Sequence, residues 1–139
     1  MKNQIKIILV LVGMFAFGAN SFGQVLKCKT TSIAIKTYNE YSERWSDWSD
    51  WEDVNILITL DVDNDRIKIF SKENQIYDII KDIRKSTDSD GDETYEWLCV
   101  NEDGIKCGVR LIQNSLGEER QIYVEFSNMM WGYNIYVLD

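Results

Sequence analysis

The sequence contains no histidine among its 139 residues, and this absence excludes several kinds of active site. Serine and cysteine nucleophiles are most often activated by histidine, which is also the commonest zinc ligand. Any catalysis would therefore depend on carboxylate, lysine, tyrosine or cysteine chemistry. No constellation of these residues resembles a nucleophile with its base, or a metal centre. The sequence therefore predicts a protein that is not an enzyme and has no cofactor.

Basic residues are scarce, and long apolar runs are absent beyond the N-terminus. The chain carries 15 lysines and arginines against 23 aspartates and glutamates. Phosphate groups are bound by clustered lysines and arginines, so this balance disfavours nucleic acid and anionic membrane surfaces. A membrane-spanning helix needs roughly 20 apolar residues. We therefore expect no nucleic acid partner and no membrane span.

The first 23 residues have the three-part pattern of a secretory signal peptide. A basic start with Lys2 and Lys6 precedes an apolar stretch that ends at Phe17, and small or polar residues follow. We expect cleavage to leave residues 24–139 as one domain, in the periplasm or outside the cell. Because the signal takes Lys2 and Lys6 from the 15 basic residues, the domain keeps 13 against 23 acidic ones, a net charge of −10.

Apolar and polar residues alternate along most of this domain, which is the period-two pattern of half-buried strands. The pattern is clearest from Val54 to Val62, where the apolar residues share one face. Consecutive short strands joined by tight turns form a meander. The sequence therefore predicts an all-β fold of about eight antiparallel strands, either an up-and-down barrel or a sandwich.

The segment near residues 75–85 is ambiguous, because four isoleucines also fit one face of a short helix. They are Ile76, Ile79, Ile80 and Ile83. As a strand, the segment pairs Ile67 with Ile79, and a preceding two-residue loop, Asn64-Asp65, pairs Val62 with Ile67. Directly opposite residues share a face, so these apolar pairs favour the strand over the helix.

Three cysteines are present, so at least one lacks a partner within the chain if a disulfide forms. A three-residue loop ending at Gly104 places the glycine where a positive φ is needed and sets Cys99 opposite Cys107. Cys99 and Cys107 are therefore the predicted disulfide pair. The alternatives are a bridge from Cys28 to one of them, or three reduced thiols.

Trp45, Trp48 and Trp51 recur at every third residue. Trp45-Ser46-Asp47-Trp48-Ser49 resembles the Trp-Ser-x-Trp-Ser motif of cytokine receptors, and the three tryptophans resemble those of the thrombospondin type 1 repeat. In those families the rings stack with arginines, which implies cation–π contacts here. The arginines available are Arg44, Arg66, Arg110 and Arg120. The run is either a ladder packed over one end of the sheet or a platform on which a ligand stacks.

Two acidic clusters offer several oxygen ligands over a short span, which suits calcium. Neither cluster matches the EF-hand loop. Asp61, Asp63 and Asp65 are expected to form a polar hairpin turn. Asp88, Asp90 and Asp92 are expected to form a flexible acidic turn, with weak calcium binding as the alternative.

The chain beyond the signal resembles small exported β-rich proteins of Gram-negative bacteria. The resemblance rests on the Ser21-Phe22-Gly23-Gln24 junction, the hairpin from Cys99 to Cys107 and the Tyr133-Asn134-Ile135-Tyr136 ending, and it implies a fold and a compartment. We expect a noncatalytic binding module for a small apolar ligand or a glycan, with the three tryptophans at its mouth. The alternative is a protein-interaction domain, such as an inhibitor or immunity-type protein, steered to a basic partner by its charge.

Overall fold

A computed structural model describes residues 25–138, so the predicted signal peptide, residues 1–23, lies outside the described residues. Within this range the chain forms ten strands and one short 3-10 helix. The strands are β1 (Leu26–Asn39), β2 (Arg44–Trp45), β3 (Glu52–Asp53), β4 (Leu57–Asp61), β5 (Arg66–Phe70), β6 (Gln75–Thr87), β7 (Glu93–Val100), β8 (Lys106–Gln113), β9 (Arg120–Glu125) and β10 (Met129–Val137). The 3-10 helix spans Val62–Asn64. No helix in this part of the chain is long and apolar enough to cross a membrane.

Eight of the strands close into an antiparallel barrel. Strands β4 to β10 follow one another around the wall in chain order, and β1 closes the circle by pairing with both β4 and β10. The two short strands β2 and β3 also pair with β1. The predicted all-β meander is therefore confirmed, and of the two predicted architectures the protein adopts the barrel.

Side chains fill the interior of this barrel. Trp97, Tyr95 and Tyr133 are among the largest fully buried residues, and they pack with isoleucines, leucines and valines from the surrounding strands. A barrel of eight strands is just wide enough to be filled in this way. The alternation that predicted the strands therefore separates a packed interior from the outer wall of the barrel.

The hairpin between β4 and β5 differs from the predicted register by two residues. Leu60, rather than Val62, lies opposite Ile67. The reason is the 3-10 turn at Val62–Asn64, which continues into Asp65 in the left-handed conformation, with φ 55°. This connection is longer than the predicted two-residue loop. Because side chains alternate with period two, a shift of two residues leaves the apolar face inside.

The ambiguous segment near residues 75–85 is part of strand β6, as predicted in preference to a helix. Its register with β5 again differs by two residues, since Ile67 lies opposite Tyr77 rather than Ile79. This second shift arises in the connection between β5 and β6, which runs from Phe70 to Gln75, because the register of a hairpin is set by its own loop. Both Tyr77 and Ile79 are buried, so the inward face of β6 starts as predicted.

Two irregularities in the pairing of β6 with β7 were not predicted. The register shifts at Ile80 and again at Ile83, which is the pattern of β-bulges. A bulge places two residues opposite one and so changes which later side chains face inward. Ile80 and Ile83 are 52% and 44% exposed, whereas Asp82 lies opposite the buried Trp97.

Candidate functional site

The segment that carries the three tryptophans runs along one edge of β1, where two serines hold it. The Ser46 N–H donates to the Thr37 carbonyl at 2.8 Å, and the Thr37 N–H donates to the Ser46 hydroxyl at 3.0 Å. Ser49 makes the same pair of bonds with Ile35, at 2.8 and 2.9 Å. In a regular pair of strands, the N–H groups of Thr37 and Ile35 would donate to backbone carbonyls, whereas here they donate to the serine hydroxyls. Ser46 and Ser49 are three residues apart, and their partners on β1 are two residues apart. The three-residue repeat of the segment therefore fits the two-residue period of β1.

The rings lie on the outer wall of the barrel beside β1. Trp45 packs edge-on against Tyr38, with ring centroids 5.5 Å apart. The Lys36 ammonium lies 5.8 Å from the Trp45 ring and 5.0 Å from the Trp48 ring, which is the geometry of a cation–π contact. The cation between these two tryptophans is therefore a lysine of β1, whereas the family resemblance implied an arginine.

Trp48 also reaches across the wall to β9. Its ring centroid lies 5.7 Å from that of Tyr123, and the guanidinium carbon of Arg110 lies 5.3 Å from the same tyrosine ring. The Tyr123 hydroxyl donates to Gln121 Oε1 at 2.9 Å. A Cβ atom at Gly132 would lie 2.5 Å from Tyr123 Cε1, so the ring rests directly on the glycine backbone. We call Trp45, Trp48, Trp51 and Tyr123 the aromatic strip.

The aromatic strip is part scaffold and part accessible surface. Ala34 points outward from β1, opposite Gly132, yet it is only 1% exposed. Trp48 and Trp51 are 38% and 46% exposed. Tyr123 alternates with buried residues of β9 and therefore points away from the interior. The strip thus lies on the outer wall, whereas the sequence led us to expect the tryptophans at a mouth of the barrel.

The three cysteines are buried and free, so the predicted disulfide between Cys99 and Cys107 is wrong, although their pairing across the hairpin is confirmed. The Asn101 N–H donates to the Ile105 carbonyl, and the alternation of the ladder then makes the two cysteines a hydrogen-bonded pair. The Cβ atoms of such a pair are about 5.5 Å apart, more than the roughly 3.5–4.5 Å of a disulfide.

Burial also makes these thiols unreactive. It raises the pKa of Cys107 to about 11 and that of Cys28 to about 12, where the charge of Arg120 has a smaller, opposing effect. Burial, with Cys107 beside it, also raises the pKa of Cys99. The thiolate is the reactive form, so at neutral pH the three cysteines behave as small apolar core residues.

The acidic turn between β6 and β7 is held by hydrogen bonds from its backbone to the side chain of Asp88. The Asp88 carboxylate accepts hydrogen bonds from the N–H groups of Asp90 and Asp92, both at 2.9 Å. Within residues 25–138, no group of three or more cysteine, aspartate or glutamate side chains is placed to hold a metal ion. The carboxylate of Asp88 thus accepts the hydrogen bonds that stabilise the turn.

A groove of about 610 Å³ lies on the outer wall of β4 and β5. Lys68 and Phe70 line it together with Arg66, whose guanidinium pairs with Asp78 at 3.0 Å. The groove is open to solvent and lies on different strands from the aromatic strip. It is a concave surface of the outer wall, separate from the aromatic strip.

The sequence predicted the three tryptophans as a candidate site but missed three residues that position them. Lys36, Tyr123 and Gly132 belong to β1, β9 and β10, and only the closure of the barrel brings these strands together. No local pattern identifies Tyr123 as a neighbour of Trp48. A comparison of the chain with models of protein families, with curated proteins and with solved structures found no match.

Proposed function

We propose that the protein is an exported, noncatalytic binding module and that its aromatic strip holds a glycan. The observation that carries the proposal is that Trp45 and Trp48 are held on the outer wall by Tyr38, Lys36 and Tyr123, while Trp48 and Trp51 are 38% and 46% exposed. Flat aromatic faces stack against the apolar faces of sugar rings, and they contribute large contact area at low entropy cost. Tryptophans that recur at every third residue suit a ligand that is itself a chain of flat units.

Preorganisation supports this function. The bonds from Ser46 and Ser49 fix the backbone on both sides of Trp48, and Lys36 lies between two of the rings. A surface that is ordered before binding loses little conformational entropy when the ligand arrives. The exposed Asp47 and Asp50 alternate with the rings and provide carboxylate acceptors for sugar hydroxyls.

A glycan agrees better with the geometry than a small apolar ligand. The middle of the barrel is occupied by Trp97, Tyr95 and Tyr133, each almost completely buried. An apolar molecule would have to displace these side chains from a close-packed interior. The aromatic strip is already exposed and needs no such rearrangement.

Tryptophan fluorescence titrations with a panel of oligosaccharides test this function. Trp51→Ala is expected to weaken binding about tenfold, which corresponds to about 1.4 kcal/mol, without lowering the melting temperature. Trp48→Ala is expected to weaken binding and also to lower stability, because Trp48 contacts Tyr123. The matched control is Tyr41→Ala, which removes a fully exposed aromatic residue outside the strip.

Two results contradict the proposal. One is that no oligosaccharide in the panel binds the wild-type protein with a Kd below about 1 mM, an affinity worth about 4 kcal/mol. The other is that Tyr41→Ala weakens binding as much as Trp51→Ala.

A protein-interaction domain is the second candidate. The observation that favours it is the exposure of Ile80 and Ile83 on the two bulges of β6, because exposed apolar residues are a feature of interaction surfaces. A basic partner, attracted by the net negative charge, is expected to be captured in a pull-down that weakens as salt is raised. Replacing both isoleucines by serine should abolish capture, and retention of the partner by that variant contradicts this candidate.

A further inference from the structure

The groove on the outer wall of β4 and β5 lies in a basic region of an acidic protein. Lys68 and Arg66 line the groove, and so does Thr59. Lys27 of β1 lies directly opposite Thr59, and directly opposite residues share a face. Side chains alternate along a strand, so Lys29 is on the same face as Lys27. Four basic residues are therefore gathered on the outer wall of three adjacent strands.

Most of this positive charge has no partner within the protein. None of the three lysines, Lys27, Lys29 and Lys68, makes an ion pair with any residue between 25 and 138. Arg66 does pair with Asp78, but its Nε and Nη2 atoms both contact the same carboxylate oxygen at 3.0 Å. The Nη1 atom of the guanidinium is therefore left for another acceptor.

The acidic residue that lines the groove is held by the turn that follows β4. Asp61 Oδ2 accepts a hydrogen bond from the side-chain amide of Asn64 at 3.0 Å. Asp61 Oδ1 is covered from solvent and makes no hydrogen bond, so it does not present its charge at the surface of the groove. The groups that remain for a ligand are thus mainly cationic donors, which complement an anion.

The groove also has an apolar part and the size of a small-molecule site. Phe70 lines it two residues beyond Lys68 on β5 and is 37% exposed, and Val25 contributes a second apolar side chain. The stretch from Arg66 to Phe70 is about 13 Å long at the usual rise of a strand. The volume of about 610 Å³ lies within the range of ligand pockets.

We propose that this groove binds a small organic anion, namely an acid group carried on an apolar body. In this arrangement the acid group pairs with the Lys68 ammonium and the Arg66 guanidinium, and the apolar body packs on the ring of Phe70.

The charge of the protein favours a small anion over a long polyanion. The whole chain carries a net charge of −8, which repels anions at a distance. Salt screens exposed charges beyond about 8 Å at physiological ionic strength, so a small anion inside the groove is affected chiefly by the four nearby cations. A long polyanion would also extend over the acidic remainder of the surface.

The test follows the backbone amide signals of the purified protein in a proton–nitrogen correlation spectrum. We expect 4-phenylbutyrate to shift the signals of Thr59 and Lys68 with a Kd of about 1 mM or lower. The neutral 4-phenylbutanamide has the same body without the charge, and acetate has the acid group without the body. Each is expected to bind at least about tenfold more weakly, because each lacks one of the two interactions.

Three variants assign these interactions to residues. Lys68→Gln is expected to weaken 4-phenylbutyrate binding about tenfold, since it removes a charged donor. The matched control is Lys106→Gln, which removes an exposed lysine from β8 on the opposite side of the barrel and should leave binding unchanged. Phe70→Ala should weaken binding of 4-phenylbutyrate and leave that of acetate as it is in the wild type.

Three results would overturn the inference. The first is that millimolar 4-phenylbutyrate moves no signal of β4 or β5, or moves only the indole signals of the aromatic strip. The second is that the neutral amide binds as tightly as the acid. The third is that Lys106→Gln weakens binding as much as Lys68→Gln, which would mean that the anion responds to overall charge rather than to the groove.

Discussion

Replacing Gly132 by alanine is expected to destabilise the protein and to loosen the aromatic strip at the same time. The added Cβ would lie 2.5 Å from Tyr123 Cε1 and 2.6 Å from Cδ1. Carbon atoms in contact are normally about 3.5–4.0 Å apart, so the tyrosine ring has to move by about 1 Å. That movement disturbs its contact with Trp48 and its hydrogen bond to Gln121.

The expected cost follows from overpacking. Forcing an extra carbon into a packed position costs about 1–3 kcal/mol. For a domain of this size each kcal/mol lowers the melting temperature by roughly 4 °C, so Gly132→Ala should melt roughly 4–12 °C below the wild type. Thermal melts followed by far-UV circular dichroism measure this. The tryptophan emission of the variant should also shift to the red, because Trp48 loses its neighbour.

Gly108→Ala is the matched control for this substitution. Gly108 is also a strand glycine on the outer wall, but a Cβ there meets nothing within 4 Å. Alanine is preferred to glycine within a strand by about 0.5–1 kcal/mol, so Gly108→Ala should be neutral or slightly stabilising. Adding Tyr123→Ala should cancel most of the cost of Gly132→Ala, because the two residues are in contact. If the two glycine variants melt alike, the argument for close packing on the outer wall is refuted.

Two further predictions concern the buried thiols and Asp82. With the native protein at pH 8 we expect no reaction of a thiol-specific disulfide reagent and, after unfolding, three reactive thiols, because the cysteines are free and buried. One reactive thiol after unfolding would instead mean that a disulfide exists. Asp82→Asn should raise the melting temperature at pH 7 but not below pH 3.8, the ordinary pKa of an aspartate. Burial raises the pKa of Asp82, so its ionised form destabilises the fold above that raised pKa, and the penalty disappears as the pH falls and the carboxylate binds a proton. Asp78→Asn is the control, and an equal gain in both variants would contradict the assignment.

The sequence by itself determined the eight strands of the barrel and most of the strand faces that are buried. Alternating apolar residues specified strands, and the hairpin with Gly104, whose φ is 81°, has the predicted register from Cys99 to Tyr95. This succeeded because a period of two and a glycine turn are local properties of the chain. The errors of two residues on either side of β5 are also local in origin, since the turn after β4 and the turn before β6 both differ from the predicted loops.

Only the tertiary structure decided which residues meet. The free state of Cys99 and Cys107 depends on their position in the hydrogen-bonding pattern, which the register alone does not reveal. The inward position of Asp82 depends on the bulges in the pairing of β6 with β7. The aromatic strip depends on the closure of β1 with β10, which brings Trp48 to Tyr123. Such contacts join residues that are distant in the chain, and their geometry is set by the packing and closure of the whole barrel rather than by any local pattern of residues.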